Sequence, residues 1–504
     1  MFSEPQNFKN HTTTGTKLHD AGFSRLWRAS LLAACLCALM ACTQRPQTGL
    51  PSIPSGAPYS TVSPVLSERD KLLLAFGGAY QNSRIESQLE TMLARLGTHN
   101  PELGQNFRIT LLNSPTPNAF ALQNGSGDSG GEIFISRGLI ALSNDPAEIA
   151  AVISHELAHV QLRHPQQRDL AVRQVSQQIR EMEPLLQSQA LERIEARGRM
   201  TLAGFSRAQE SEADSMGARL MAQAGYDPFA AAHLLKTLGR DTALRGRLFA
   251  DASPSAHHFL ASHPATPDRI ARVLSESRQL QAPPSTETDR ERWLQALDDM
   301  VYGDDPQQGL VRGRHFIHPA LNIGFSAPET FVLDNSTQAL VGVLPGKPVA
   351  LRFDRMARSG QSAIAALQAG WIDKTSLGPV EAIQVNGLEA ATAIASGEEW
   401  RFRLAAIVKD ETIYRFIFAA HPLTGDLDGL FRQSIASFHV LRAEEGQQAR
   451  PLRLKTVVAR SGDTAETMAA RSILTDHALE RFSLINGLDR GPLQNGRLYK
   501  IIGE

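Results

Sequence analysis

Residues 145–164 read DPAEIAAVISHELAHVQLRH, and the rest of the chain is arranged around them. Ile149, Ala150, Val152, Ile153, Leu157 and Val160 recur at helical spacing, which predicts a buried helix. Its start is signalled as well: Asp145 can accept from free N–H groups, Pro146 suits the first helical position, and Glu148 can complete a capping box. Residues four apart on a helix point the same way, so His155 and His159 present two imidazoles to one point, as tetrahedral Zn2+ requires. Glu156 follows the first His, where its carboxylate reaches a water beside the ion rather than the ion itself. The pattern is that of a zinc hydrolase. The alternative is a pair of core histidines bonded to backbone carbonyls.

A third ligand is needed, and residues 206–214, SRAQESEAD, offer one on a second helix. Glu210 and Asp214 are four apart and share a face. Glu210 can complete the ligand set while Asp214 accepts the Nδ1–H of a ligating His and fixes its tautomer. Glu212 lies off that face.

Several ordered motifs resemble the HtpX/BepA family of zinc metallopeptidases, relatives of the CAAX prenyl proteases. They are Asn118-Ala119-Phe120-Ala121, Ser136-Arg137-Gly138-Leu139, His155-Glu156-Leu157-Ala158-His159 with Arg163-His164, Glu210-Ser211-Glu212-Ala213-Asp214, Ala224-Gly225-Tyr226-Asp227-Pro228 and Ser262-His263-Pro264. The resemblance implies one zinc held by His155, His159 and Glu210, with Glu156 as the base and the 118–122 strand bordering the cleft. In BepA-like members the His of the His-Pro motif approaches the zinc and gates it; by motif that residue is His263. Lying before Pro264, it is biased to an extended backbone, so it either reaches the zinc site, as gate or oxyanion donor, or is a loop His bonded to backbone. The glycine-rich 125–131 departs from the family, and no tetratricopeptide period is found.

At the N-terminus, Arg25 and Arg28 precede an apolar run at 31–41, suited to a signal peptide and too short to span a bilayer. Leu39-Met40-Ala41-Cys42 resembles a bacterial lipobox, which implies lipidation at Cys42; Thr43 then implies an outer-membrane lipoprotein facing the periplasm. The alternative is an ordinary signal peptide or an uncleaved anchor. Cys35, Cys37 and Cys42 are the three cysteines, so a processed chain has no internal disulfide. Residues 42–66 read as a flexible tether rich in Pro, Ser, Gly and Thr. A net charge of -1 gives no argument for nucleic acid.

The expected architecture is multidomain. A mainly α-helical zincin domain with a small β-sheet occupies 67–275, with helix signals at 67–96, a strand at 107–112 and another at 118–122. If that second strand is a sheet edge, an extended polypeptide could add to it; an interior strand is the equal alternative. The polar 166–199 reads as a cover over the cleft, His164 as structural, and Arg207 and Arg269 as holding a network carboxylate or forming surface ion pairs. Residues 276–311 read as a linker with a short helix at 293–302. Residues 312–443 alternate like an α/β sandwich, with strands at 339–344, 349–354, 381–385, 400–409 and 412–419 and helices at 361–369 and 426–437. Phe325-Ser326-Ala327-Pro328-Glu329 and Ser437-Phe438 resemble a PsbP-like domain, read as a binding or spacer module. After a linker at 444–452, residues 453–504 resemble LysM, a βααβ peptidoglycan-binding module, through 457–464, Ile485-Asn486-Gly487-Leu488 and 493–498. Glycan binding and protein contact both remain open for it.

The expected activity is hydrolysis of peptide bonds in unfolded or misassembled envelope proteins. The competing reading is a chaperone or wall-tethered scaffold whose zinc is gated by His263.

Overall fold

The computed structural model describes residues 66–98, 106–123, 130–168, 170, 173–174, 207–248, 259–488 and 492–504. Cys42, the apolar run before it, the tether up to residue 65 and most of 166–199 lie outside the described residues. No helix of the described residues is long and apolar enough to cross a membrane.

The expected helical stretch at 67–96 is two helices, α1 (Glu68–Ala75) and α2 (Ser83–Gly97). They are parted at Gly77 and Gly78, whose φ of +80° and +85° lie in the left-handed region open to glycine. On α2, Ile85, Leu89, Met92, Leu93 and Leu96 form the stripe that enters the core. Strands β1 (Phe107–Leu112), β2 (Ala119–Gln123) and β3 (Gly131–Ser136) form a sheet in the order β1-β3-β2. β1 runs parallel to β3 and β2 antiparallel to it, so β2 is an edge. Its other side pairs with no strand among the described residues.

α3 (Arg137–Leu142) leads into α4 (Pro146–Gln161), the helix of the opening stretch. Asp145 caps it as expected, accepting from the Ala147 N–H at 2.8 Å. Glu148 instead accepts from the Asn144 N–H at 2.7 Å, closing the preceding turn rather than a capping box. There follow α5 (helical over 207–223), α6 (Phe229–Leu248), the single turn α7 (Phe259–Ser262), α8 (Pro267–Ser277) and α9 (Glu287–Leu297).

Beyond α9 the chain is mostly strand. β4 (Val301–Tyr302) is followed by a small antiparallel sheet of β5 (Leu310–Arg312), β6 (His315–His318) and β7 (Ile323–Ser326). A large antiparallel sheet then contains β8 (Val332–Asn335), β9 (Leu340–Val343), β10 (Val349–Ala357), β11 (Ser376–Leu377), β12 (Glu381–Val385), β13 (Leu388–Ser396), β14 (Arg401–Lys409) and β15 (Thr412–Ala420). Both faces are covered. Tyr414, Phe416 and Phe418 of β15 pack with the small sheet and with α11 (Gly425–Ala436), while Ile413 and Ile417 pack with α10 (Ala363–Gln368) on the other side. The period of two along β15 serves two cores at once. β13 was not anticipated: its sequence, LEAATAIAS, is alanine-rich, and alanine is a poor strand former. Small side chains suit it because Ala363 and Ala366 of α10 press onto its alanines.

The C-terminal segment folds as the expected strand, two helices and strand: β16 (Leu452–Val458), α12 (Ala465–Ala469), α13 (Ala478–Ile485) and β17 (Leu498–Gly503), with β16 and β17 antiparallel. It is not set apart, however. β16 also pairs with β4, and Leu452, Leu454, Leu484, Ile485 and Ile502 join one core with α2, α4 and α6. Residues 276–311, expected as a linker, do the same through Trp293, Leu294 and Leu297 of α9, all fully buried. The polar sequence of α9 hid this, since only one stripe of it faces inward.

Candidate metal centre

Three elements converge on one point. α4 supplies His155 and His159 from one face, α5 supplies Glu210, and the residue just after α7 supplies His263. The Phe259 N–H donates to the Pro117 carbonyl at 2.7 Å, tying α7 to the entry of edge strand β2. Phe259 also stacks on the His263 ring, with centroids 4.5 Å apart.

Nε2 of His155 stands 3.0 Å from Nε2 of His159, 3.2 Å from Nδ1 of His263 and 3.3 Å from Oε2 of Glu210. Oε1 of Glu210 is 3.3 Å from Nε2 of His159 and 2.9 Å from Nδ1 of His263. One imidazole nitrogen has a single proton or a single lone pair and cannot satisfy three such neighbours by hydrogen bonds. A common centre can. Donors about 2.0–2.1 Å from Zn2+ at tetrahedral corners lie roughly 3.3 Å apart, the spacing found here. The residues therefore fit the ion: His155, His159, Glu210 and His263 each offer a donor atom, all within 4.8 Å of one another.

Glu156 is 3% exposed, and its Oε1 is buried without a hydrogen-bond partner among the described residues, 3.7 Å from Nε2 of His263. A buried carboxylate oxygen left free at the edge of four converging donors is available to a substrate or a water.

Behind the donors, Oδ1 of Asp214 lies 3.1 Å from Nδ1 of His155. Arg269 grips Asp214 with two bonds of 2.7 and 2.8 Å and also faces Oε2 of Glu210 at 2.8 Å. Behind His159, Nδ1 of His164 stands 2.9 Å from Nδ1 of the His159 ring, and Oε2 of Glu212 is 3.2 Å from Nε2 of His164. Burial opposes charge on Glu210 and Asp214, yet Glu210 is held far below the usual carboxylate range by three imidazoles, and Asp214 is lowered by His155 and Arg269. In the metal-free protein burial pushes His155 down, but Asp214 and Glu210 outweigh it and raise the imidazole to about 9; His159 is lowered, chiefly by burial.

Of the residues singled out from sequence, His155, Glu156, His159, Glu210, Asp214 and His263 come together, while Cys42 lies outside the described residues. Arg207 is exposed, whereas Arg269 is 4% exposed and belongs to the network. His164, expected as structural, and Glu212, expected off the shared face, meet behind His159 as a pair. Glu212 does lie off the shared face of Glu210 and Asp214, but the helix breaks at Arg163, with φ +57°, and His164 meets Glu212 beyond the break. A turn of that kind leaves no periodic signal.

Residues 79–277 match the family model described as Peptidase family M48. The chain is 29% identical over 175 residues to the mitochondrial metalloendopeptidase OMA1 of Schizosaccharomyces pombe, covering 33% of this chain and 45% of that protein. It is 26% identical over 196 residues to the beta-barrel assembly-enhancing protease of Escherichia coli strain K12, covering 37% of each. The chain thus spans less than half the length of these curated relatives. A solution structure of cyanobacterial PsbP from Synechocystis superposes on 26% of this chain and 95% of its own, at 13% identity and a TM-score of 0.21, too low to argue from.

Proposed function

Residues 79–277 are a zinc metallopeptidase domain of peptidase family M48, and from that premise we propose that the whole chain is a zinc-dependent endopeptidase of the bacterial cell envelope. Its substrates are unfolded or misassembled envelope polypeptides. The reading rests above all on one observation: four donors from three elements converge at tetrahedral spacing with the buried carboxylate of Glu156 beside them.

In this reading His155, His159 and Glu210 hold the zinc, and Asp214 accepts the Nδ1–H of His155 so that Nε2 keeps its lone pair for the metal. Zinc, when bound, polarises the scissile carbonyl and makes water a stronger acid. Glu156 takes the proton of the attacking water and returns it to the leaving nitrogen. Edge strand β2 offers its free side to an extended substrate, which asks little of the substrate's sequence. His263 occupies the fourth corner at rest, where a substrate would bind, and swings out to admit it. The envelope setting draws on the lipobox-like 39–42 and on a relative named for beta-barrel assembly. The PsbP-like 312–443 serves as a spacer or binding module, and the LysM-like 453–504 as a contact to peptidoglycan; no retention on purified peptidoglycan would remove that contact.

The gated site also supports a second reading, a chaperone or scaffold in which His263 never leaves. Casein digestion with and without chelator separates the two. Wild type should cut and lose activity with chelator; Glu156→Gln should keep its zinc and lose about 100-fold or more in rate; His263→Ala should cut faster. Undiminished cleavage by Glu156→Gln overturns the assigned base, and a zinc-loaded protein inert in every form supports the scaffold.

A further inference from the structure

The two histidine ligands are held from behind in different ways. Nδ1 of His155 meets a carboxylate directly, the buried Asp214, 3.1 Å away. Nδ1 of His159 meets another imidazole, that of His164, 2.9 Å away with the rings edge-on at 74°. His164 is 1% exposed, and its other nitrogen, Nε2, is 3.2 Å from Oε2 of Glu212, whose side chain is 64% exposed. Its carbonyl accepts from Nε2 of Gln209 at 3.2 Å.

These contacts determine where the protons sit. If Nε2 of His159 gives its lone pair to the metal, Nδ1 must carry the hydrogen and needs an acceptor. The acceptor within reach is Nδ1 of His164, which must then be bare, so the His164 proton resides on Nε2 and is donated to Glu212. Tautomers are set in series from the surface inward. We propose that His164 is the positioning residue for His159, and that Glu212, through His164, fixes the tautomer in which His159 can bind zinc. α5 thereby serves both histidines, His155 through Asp214 and His159 through Glu212, besides contributing Glu210 itself. A neutral imidazole is a weaker acceptor than a carboxylate, so His159 is the less firmly held of the two.

The inference rests on the assignment of His155, His159 and Glu210 as ligands, and the test keeps the two apart. Zinc affinity of the full chain is measured by chelator competition, alongside the visible absorption of the cobalt-substituted protein, for wild type, His164→Phe, His164→Gln and Glu212→Ala. Wild type failing to bind one equivalent would sink the ligand assignment itself. With wild type loaded, His164→Phe, which has no acceptor, should lose about 10–100-fold in affinity and alter the cobalt spectrum. His164→Gln, whose carbonyl oxygen can accept, should recover most of that loss. Glu212→Ala, a change at an exposed side chain that leaves the core untouched, should fall between His164→Phe and wild type. Wild-type affinity and spectrum in Glu212→Ala, or in a folded His164→Phe, would overturn the inference; so would equal losses in His164→Phe and His164→Gln, which mark a packing role only. Should His164→Phe fail to fold, His164→Gln and Glu212→Ala decide.

Discussion

Glu210 shows how much one side chain is asked to do. Its two oxygens face different histidines, Oε1 toward His159 and His263 and Oε2 toward His155, while Arg269 stands 2.8 Å from Oε2. The guanidinium offsets the negative charge that three carboxylates, Glu156, Glu210 and Asp214, bring to a buried site, and its two bonds hold Asp214 behind His155. The ligand set was legible from spacing; for Arg269 the sequence left a network carboxylate and a surface ion pair as alternatives, and its burial against Glu210 and Asp214 decides for the network. A second buried titrating residue lies far from this centre. Burial, aided by Arg355, lowers the His318 imidazole to about 4, and Nδ1 accepts from the Leu321 N–H at 3.2 Å. The unfolded imidazole titrates near 6.5, so between that pH and 4 the unfolded chain binds more protons than the folded one. The stability contributed by His318 is full above pH 6.5 and is lost as pH falls toward 4. Urea midpoints measured across that window should drop for wild type and drop less for His318→Asn, which keeps an acceptor for Leu321.

Among elements, the crossing of α4 and α5 matters most, because it brings ligands from separate stretches of chain to one point. Gly217, seven residues on from Glu210, lies at the crossing: a Cβ there would stand 3.3 Å from the backbone nitrogen of His155. That gap sets how near Glu210 comes to the imidazoles. Gly217→Leu should push the helices apart and lower zinc affinity at least about tenfold, whereas Gly217→Ala, whose Cβ asks the His155 backbone to give by only a few tenths of an ångström, should lose less. Chelator competition on the two variants checks this, and equal zinc affinity in Gly217→Leu and wild type would refute it. The metal helix and β1 were readable because their periodicity is strong, and the strands of the large sheet because theirs alternate. Strand β13 and the buried face of α9 were not, since alanine signals neither state and a single inward stripe on a charged helix resembles a solvated one. Whether β2 was edge or interior could not be read from its five residues at all; the order β1-β3-β2 makes it an edge.

At the scale of the molecule, the C-terminal segment is joined to the metal helix. Lys500 is fully buried, and its ammonium donates to the carbonyls of Ala141 at 2.8 Å and Ser143 at 2.5 Å, just ahead of α4. Burial lowers Lys500 and raises Glu148, at the start of α4, while their mutual attraction works against both shifts. Lys500→Met removes the buried donor shared by two carbonyls, and should cost about 2–4 kcal/mol. Urea unfolding, followed in a background that keeps Trp293 in the shared core as its one tryptophan, should show that loss in a single transition. Adding Glu148→Gln should restore part of it. Two separate transitions would mean that residues 452–504 fold on their own.

Taken alone, the sequence established the helix of residues 145–161, the pairing of His155 with His159, the candidacy of Glu210 and Asp214, and the strand-helix-helix-strand order at the C-terminus. Each of these depends on neighbours within a few residues, where helical and strand periods and cap chemistry operate. Folding supplied the rest: His263 set beside the other three donors, Arg269 and the His164–Glu212 pair behind them, the free edge of β2, and one core uniting α9, β16 and α13 with the metal helix. Those features join residues tens to hundreds of positions apart, and such meetings are settled by which buried surfaces and charges fit together in space, a choice that leaves no repeat along the chain.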